Sequence, residues 1–347
     1  MEKIVIETPG ARSEIITGTS WESYKSYLTP GEYVILTDEN IMKLYGNRFP
    51  EVPVLVVEPG EKSKQLAVVE KLAARMLEKG IDRTGFVLAV GGGVVCDIGG
   101  FLASIYMRGI RCAYVSTSLL SQVDASTGGK NGVDLGGTKN ILGTIRQPEF
   151  VICDPEMLKT LPEEEYLSGL SELIKTSIIG DRELFEIIES NYDLIIKRER
   201  DLLAYLVTRS VRFKANVVTE DERETGIRRI LNYGHTFGHA IEMLTSFRHG
   251  FAVASGMELA TEFSHQRGFI DGAVKDRITG LLDRFSLLLD YEADAGRMEQ
   301  LILQDKKKTG KEINFVFISG IGKAFVEKIP VSNLVDLYIG YREKNKR

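Results

Sequence analysis

The sequence predicts an α/β fold with parallel-sheet character over residues 1–150, followed by a mainly α-helical half over residues 151–347. Three observations carry this. Short apolar runs alternate with helix-period stretches in the first half, and that alternation builds a parallel sheet covered on both faces. The third run leads straight into Gly91-Gly92-Gly93, where bare backbone and a helix N-terminus suit a nucleotide pyrophosphate. Beyond residue 151 the apolar spacing becomes helical almost throughout.

Element by element, 33–37 reads as a buried strand with a helix opening near Asp38. A second strand, 52–57, is ended by Pro59-Gly60. Helical spacing over 63–79 aligns Leu66, Val69, Leu72, Ala73 and Met76 on one face, and Gly80 stops it. Strands follow at 85–90 and 113–116. Helices are expected at 163–190, 194–218, 236–247, 252–268, 271–287 and 295–305, with extended runs at 313–317 and 323–326. The simplest organisation is a nucleotide-binding domain, 1–150, and a helical metal- and substrate-binding domain, 151–347.

Hydrophobic residues at 43% and charged residues at 27% are ordinary for a soluble globular chain. A net charge of -5 lacks the basic excess of a nonspecific nucleic-acid binder, so no nucleic-acid partner is expected. No apolar run reaches the ~20 residues that cross a bilayer, and no membrane partner is expected. Cys96, Cys112 and Cys153 are scattered and odd in number, which points to a reducing cytoplasm rather than a disulfide framework.

The chain has 4 histidines, and His235, His239 and His249 fall close together. Imidazole is both a common metal ligand and a proton carrier near neutral pH. His235 and His239, four apart, share a helix face. A catalytic zinc takes three protein ligands and keeps an open position. All three histidines fit that count; equally, one stays free and an acid completes the set. Glu172 is the acid candidate, within Gly169-Leu170-Ser171-Glu172-Leu173-Ile174-Lys175. On spacing alone, Glu172 and Lys175 read as an ordinary surface i,i+3 pair. His265 reads as structural or exposed, and Tyr233 and Phe237 as packing.

The glycine turn is neither G-x-G-x-x-G nor a Walker loop, so its meaning rests on position at a strand's carboxyl end. Between residues 121 and 140, Lys130 and Lys139 sit among glycines and hydroxyls, a composition suited to phosphate or carboxylate. Lys214 and the Lys306-Lys307-Lys308 run add possible anion contacts, although three adjacent lysines alone read as a solvated loop.

Taken together, these segments resemble the 3-dehydroquinate synthases of the sugar-phosphate cyclase family, from about Asp38 to Lys308. The resemblance rests on ordered motifs: Pro59 to Lys64, Gly91 to Asp97, Tyr106-Met107-Arg108-Gly109, Gln122 to Lys130, Lys139-Asn140, Leu158 to Pro162, Gly169 to Lys175, Lys214 with Asp221 to Glu224, Arg228 to Glu242, and His249-Gly250. It implies NAD in the first half, with Asp38 and Asn40 on adenosine and Glu61 and Lys64 on ribose. Gly92, Gly93 and Asp97 would meet the pyrophosphate, with Thr117, Ser118, Lys130, Lys139 and Thr160 lining the rest. It implies a divalent metal, zinc or cobalt, held by Glu172, His235 and His249, which leaves His239 for substrate contact and proton transfer. Asp124, Lys130, Lys175, Lys214, Arg228, Asn232 and Lys306 or Lys307 would grip an anionic sugar phosphate. Arg108 resembles the arginine lent to a neighbouring subunit, implying a homodimer.

The implied activity is conversion of 3-deoxy-D-arabino-heptulosonate 7-phosphate to 3-dehydroquinate and phosphate. The steps would be transient NAD-dependent oxidation, phosphate elimination, re-reduction and aldol closure, within the shikimate route to chorismate and the aromatic amino acids. Cys96, Ser118, Asn131, Asp134 and Phe251 depart from the family's usual residues. A sibling sugar-phosphate cyclase and a metal- and NAD-dependent polyol dehydrogenase are the alternatives.

Overall fold

The structure, a computed structural model, describes residues 1–28, 31–136, 138–305 and 312–344. The chain forms two compact units, Met1–Leu161 with Arg198–Arg223, and Pro162–Lys197 with Glu224–Arg347.

The first unit is built on a seven-stranded sheet. Its strands are β1 (Glu2–Thr8), β2 (Ala11–Thr17), β3 (Tyr33–Asp38), β4 (Val54–Val57), β5 (Phe86–Gly91) and β6 (Arg111–Ser116). β7 (Lys130–Leu135) and β8 (Thr138–Ile145) form a separate antiparallel hairpin, and β9 (Phe150–Cys153) returns to the sheet. The order is β1-β2-β9-β6-β5-β3-β4, parallel throughout except where β1 pairs antiparallel with β2. Every residue of central β5 is buried, which is why it reads as an unbroken apolar run rather than an alternating one. Helix Gly93–Ile105 packs on β5, and helix Leu66–Glu78 buries Val69, Leu72 and Met76 of the expected face, while Leu66, at the helix start, is exposed and Ala73 half-buried.

Three sequence expectations change here. The N-terminal hairpin and β9 have no counterpart in the expected strands, and Lys130 and Lys139 of the lysine–glycine segment lie on the β7–β8 hairpin. The division expected at 150/151 falls instead at 161/162, and 198–223 rejoins the first unit. The cause is helix Arg200–Glu220, which buries Leu203, Leu206, Val207 and Val211 and packs on β1 and β2. Its Thr208 hydroxyl meets that of Thr17 at 2.6 Å. Periodicity reveals such a helix's apolar face but not which sheet covers it.

The second unit opens with helices Glu163–Gly180, Arg182–Ser190 and Tyr192–Ile196. The single helix expected over 163–190 breaks because the Asp181 side chain accepts from Leu184 N at 3.0 Å and starts a new one. The helix expected over 194–218 breaks at Arg198, which takes φ 56°, and Glu199 caps the next helix through Leu202 N at 2.7 Å. Helices His235–Leu244, His249–Gln266, Gly272–Arg284 and Ala295–Asp305 follow. β10 (Glu312–Gly320) and β11 (Lys323–Pro330) pair antiparallel, and helix Val331–Lys344, absent from the sequence reading, closes the unit. Phe237, Phe263, Phe315 and Tyr338 form an aromatic core with ring centroids 5.5–6.3 Å apart. Phe237 and Tyr233 are fully buried packing residues, as expected. Among the described residues, no helix is long and apolar enough to cross a membrane.

Candidate active site

In the first unit the parallel strands end at one edge, and most of the expected cofactor residues stand there. β3 ends in Asp38, β4 leads through Pro59-Gly60 to Glu61, β5 ends at Gly91, and β6 runs into Thr117 and Ser118. The chain goes outward from β3 to β4 and then crosses back to β5 on the other side of β3. Open α/β sheets bind ligands outside the carboxyl ends of their strands at such a reversal. Gly92 caps helix Gly93–Ile105. A Cβ on Gly92 would lie 3.3 Å from Ser118 Oγ, and one on Gly93 3.2 Å from Ala125 Cβ, so both positions favour a bare backbone.

Asp38 caps helix Glu39–Tyr45, accepting from Ile41 N at 2.9 Å. Asn40 and Glu61 are exposed beside it in sequence and along the edge. Lys64 is buried, and its Nζ lies 2.5 Å from Asp97 Oδ2. Burial pushes the Asp97 carboxyl up from 3.8 to about 6 against the pull of Lys64. At Lys64 burial opposes the charge, but Asp97 and Glu61 outweigh it and raise the ammonium. Thr160 shares a 2.8 Å hydrogen bond with the Tyr45 hydroxyl. Lys139 lies exposed on β8.

Three of the expected substrate residues belong to this unit as well. Lys214 Nζ donates to both Asp124 Oδ1 and the Asp124 carbonyl, each at 2.7 Å. Lys130, exposed, opens β7. Its neighbour Asn131 is buried: it accepts from the Tyr114 hydroxyl at 2.7 Å and donates to the Gly129 and Arg146 carbonyls at 3.0 Å. Arg108 stands exposed in a turn whose Met107 and Arg108 both take left-handed backbone, φ 46° and 69°.

The second unit holds a convergent donor set. Glu172 lies in helix Glu163–Gly180, while His235 and His249 each open a helix. Glu172 Oε1 is 3.6 Å from His235 Nε2 and 3.4 Å from His249 Nε2, and ligand atoms of all three lie within 4.8 Å of one another. The helices reach this closeness through glycine: a Cβ on Gly250 would stand 2.0 Å from the Ser168 carbonyl oxygen. Glu172 and Lys175 have 0% and 2% side-chain exposure, with Lys175 Nζ 2.5 Å from Glu172 Oε2. The surface-pair expectation is therefore wrong: the i,i+3 spacing is right, but helix His249–Gln266 packs over that face.

Both ring geometries suit metal ligation. His235 Nδ1 faces the Tyr233 carbonyl at 3.2 Å. A carbonyl only accepts, so Nδ1 carries the proton and Nε2 presents its lone pair toward Glu172. His249 Nδ1 faces Glu242 Oε2 at 3.2 Å, so that nitrogen donates and Nε2 is the one turned to Glu172; against burial, Glu172 and Glu242 raise this imidazole to about 10. Glu172 is buried without a well-directed hydrogen bond on either oxygen, since the imidazole contacts are long and the close Lys175 contact is poorly aligned. Burial would raise the Glu172 carboxyl, but Lys175, His235 and His249 hold it well below its ordinary range. Burial and then Lys175 keep His235 neutral. A carboxylate with two tied imidazoles fits zinc or cobalt with a position left open.

His239 stands beside the set, its ring centroid 5.3 Å from that of His235 and 6.1 Å from that of His249. Arg228 is almost fully buried, and Asn232 donates to Glu224. Lys306 and Lys307 lie outside the described residues. His265 Nδ1 is 3.1 Å from the Ile270 carbonyl, a structural role as expected. Glu242 was not singled out in the sequence; its signal is the i, i+7 spacing from His235.

Two family models match the chain, described as 3-dehydroquinate synthase N-terminal over residues 54–168 and C-terminal over residues 169–308. The chain is 41% identical over 321 residues to the 3-dehydroquinate synthase of Thermoanaerobacter pseudethanolicus, across 89% of this chain and 90% of that protein. It is similar in structure to 2-epi-5-epi-valiolone synthase from Streptomyces hygroscopicus subsp. jinggangensis with NAD+ and Zn2+ bound: TM-score 0.88, 25% identity, 98% of this chain and 99% of that one. A 2-deoxy-scyllo-inosose synthase complexed with carbaglucose-6-phosphate, NAD+ and Co2+ shares the fold at TM-score 0.87 and 24% identity, over 97% of this chain and 99% of that one.

Proposed function

The chain belongs to the 3-dehydroquinate synthase family, and from that premise we propose that it converts 3-deoxy-D-arabino-heptulosonate 7-phosphate to 3-dehydroquinate and phosphate. The observation that carries this reading is the buried Glu172 carboxylate facing the Nε2 atoms of His235 and His249, in a chain matched by the family over residues 54–308. NAD and a divalent metal, when bound, supply a hydride acceptor and a Lewis acid.

The chain's own residues do the rest. Asp38, Asn40, Glu61, Lys64, Gly92, Gly93, Asp97, Thr117, Ser118, Lys139 and Thr160 hold the dinucleotide along the carboxyl edge of the sheet. Lys130, Lys175, Lys214, Arg228 and Asn232 bind the carboxylate, hydroxyls and phosphate, and their largely cationic character opposes charge that develops on oxygen. Asp124 orients Lys214 through the paired 2.7 Å contacts. His239 moves a proton beside the ligand set. Such an inventory exceeds what a neutral polyol needs, which disfavours the polyol dehydrogenase reading. The enzyme is a phosphate-eliminating lyase, works in the cytoplasm, and acts as a homodimer with Arg108 reaching across.

The test is phosphate release from that substrate with substoichiometric NAD, with and without a chelator, while NADH absorbance is followed. Chelator-sensitive release without NADH accumulation is expected. NADH accumulation from a simple polyol without phosphate release would overturn the reading.

A further inference from the structure

Helix His235–Leu244 presents His235, His239 and Glu242 at i, i+4 and i+7, a spacing that lines one helix face. Two of these already have places at the site, and the third touches the remaining histidine. Glu242 Oε2 lies 3.2 Å from His249 Nδ1. An ionised carboxylate only accepts, so the facing nitrogen donates and Nε2 is left toward Glu172. His235 is given the same tautomer by a neutral partner, the Tyr233 carbonyl.

The two imidazoles differ in how firmly they are enclosed. His235 has 13% side-chain exposure and His249 32%. His249 is also the first residue of its helix, just after the 245–248 connection. The more exposed ring is thus the one tied by a charged side chain. A carboxylate on the far nitrogen fixes ring orientation and makes the near nitrogen more basic.

We propose that Glu242 is a positioning residue for metal binding, holding His249 in the ligating tautomer and orientation from the same helix that supplies His235. This rests on the reading of Glu172, His235 and His249 as the ligand set. Glu242 itself touches neither metal nor substrate in this account.

The test measures zinc dissociation constants by chelator competition, and the visible spectrum of the cobalt form, for the full-length protein, Glu242→Ala, Glu242→Gln and His235→Ala. The expected result is a roughly 10–100-fold weaker zinc affinity in Glu242→Ala with an altered cobalt spectrum. Glu242→Gln keeps an acceptor but loses the charge, so a smaller loss is expected. Thermal melts of the metal-free proteins accompany both variants, because a purely structural role would lower the melt and leave affinity alone. Wild-type zinc affinity in both Glu242 variants, with His235→Ala unable to bind, overturns the positioning role alone. Wild-type affinity in His235→Ala overturns the ligand set and this proposal together.

Discussion

Asp97 is a largely buried carboxyl whose ionisation lowers stability. Its carboxyl is lifted from 3.8 to about 6, chiefly by burial, even with Lys64 Nζ at 2.5 Å. A carboxyl whose folded pKa exceeds its unfolded one favours folding while protonated. That advantage is full below about 4 and is lost as pH rises to about 6. The wild type should therefore lose on the order of 3 kcal/mol relative to Asp97→Asn between those pH values, with little further change above them. The effect of the substitution on Lys64 is constant over that window, so the slope belongs to Asp97. Urea unfolding at a series of pH values reads it, and parallel stability curves would contradict it. The donor set has a similar residue-scale lesson. Three histidines were conspicuous by spacing, yet whether His239 or Glu172 joins the other two depends on which helix packs opposite, and side-chain spacing within one helix carries no such information.

The donors converge because two helices pack closely. Gly250 lets helix His249–Gln266 rest on the backbone of helix Glu163–Gly180, with Ser168 Oγ accepting from Gly250 N at 3.0 Å. Gly250→Ala adds one methyl at 2.0 Å from a carbonyl oxygen. The helices must separate, so we expect a stability loss of about 1–3 kcal/mol together with weaker zinc binding, although no ligand is removed. Calorimetric melting and zinc competition on the same preparation check both; unchanged affinity with lowered stability would uncouple the helix contact from the site. Sequence periodicity anticipated β3, β5 and β6 and helix Leu66–Glu78 because buried strands and amphipathic helices have strong local patterns. It missed the β1–β2 hairpin, and it missed β9, whose place between β2 and β6 follows from neighbours distant in sequence. It also merged helices over Asp181, since an aspartate that caps a new helix looks like any polar surface residue. In the same way, the pattern of helix Arg200–Glu220 could not say that it belongs with the first unit.

For the whole molecule, the alternation expected in the first half and the helices expected in the second both appear, and the chain carries the fold of the sugar-phosphate cyclases. Arg108, exposed in a turn with two left-handed residues, is the candidate contribution to a neighbouring copy. Arg108→Ala should cost about 100-fold in turnover, and hybrids with a Lys130→Ala partner should recover part of it; hybrids as inactive as either parent would deny sharing between subunits. Our proposal is that Glu172, His235 and His249 together hold the metal. Its most direct test is anomalous X-ray scattering from zinc-loaded crystals, recorded on both sides of the zinc edge. One strong peak is expected within about 2.0–2.2 Å of a Glu172 oxygen and the Nε2 atoms of His235 and His249. A peak ligated by His239 in place of any of the three, or lying away from them, would contradict it.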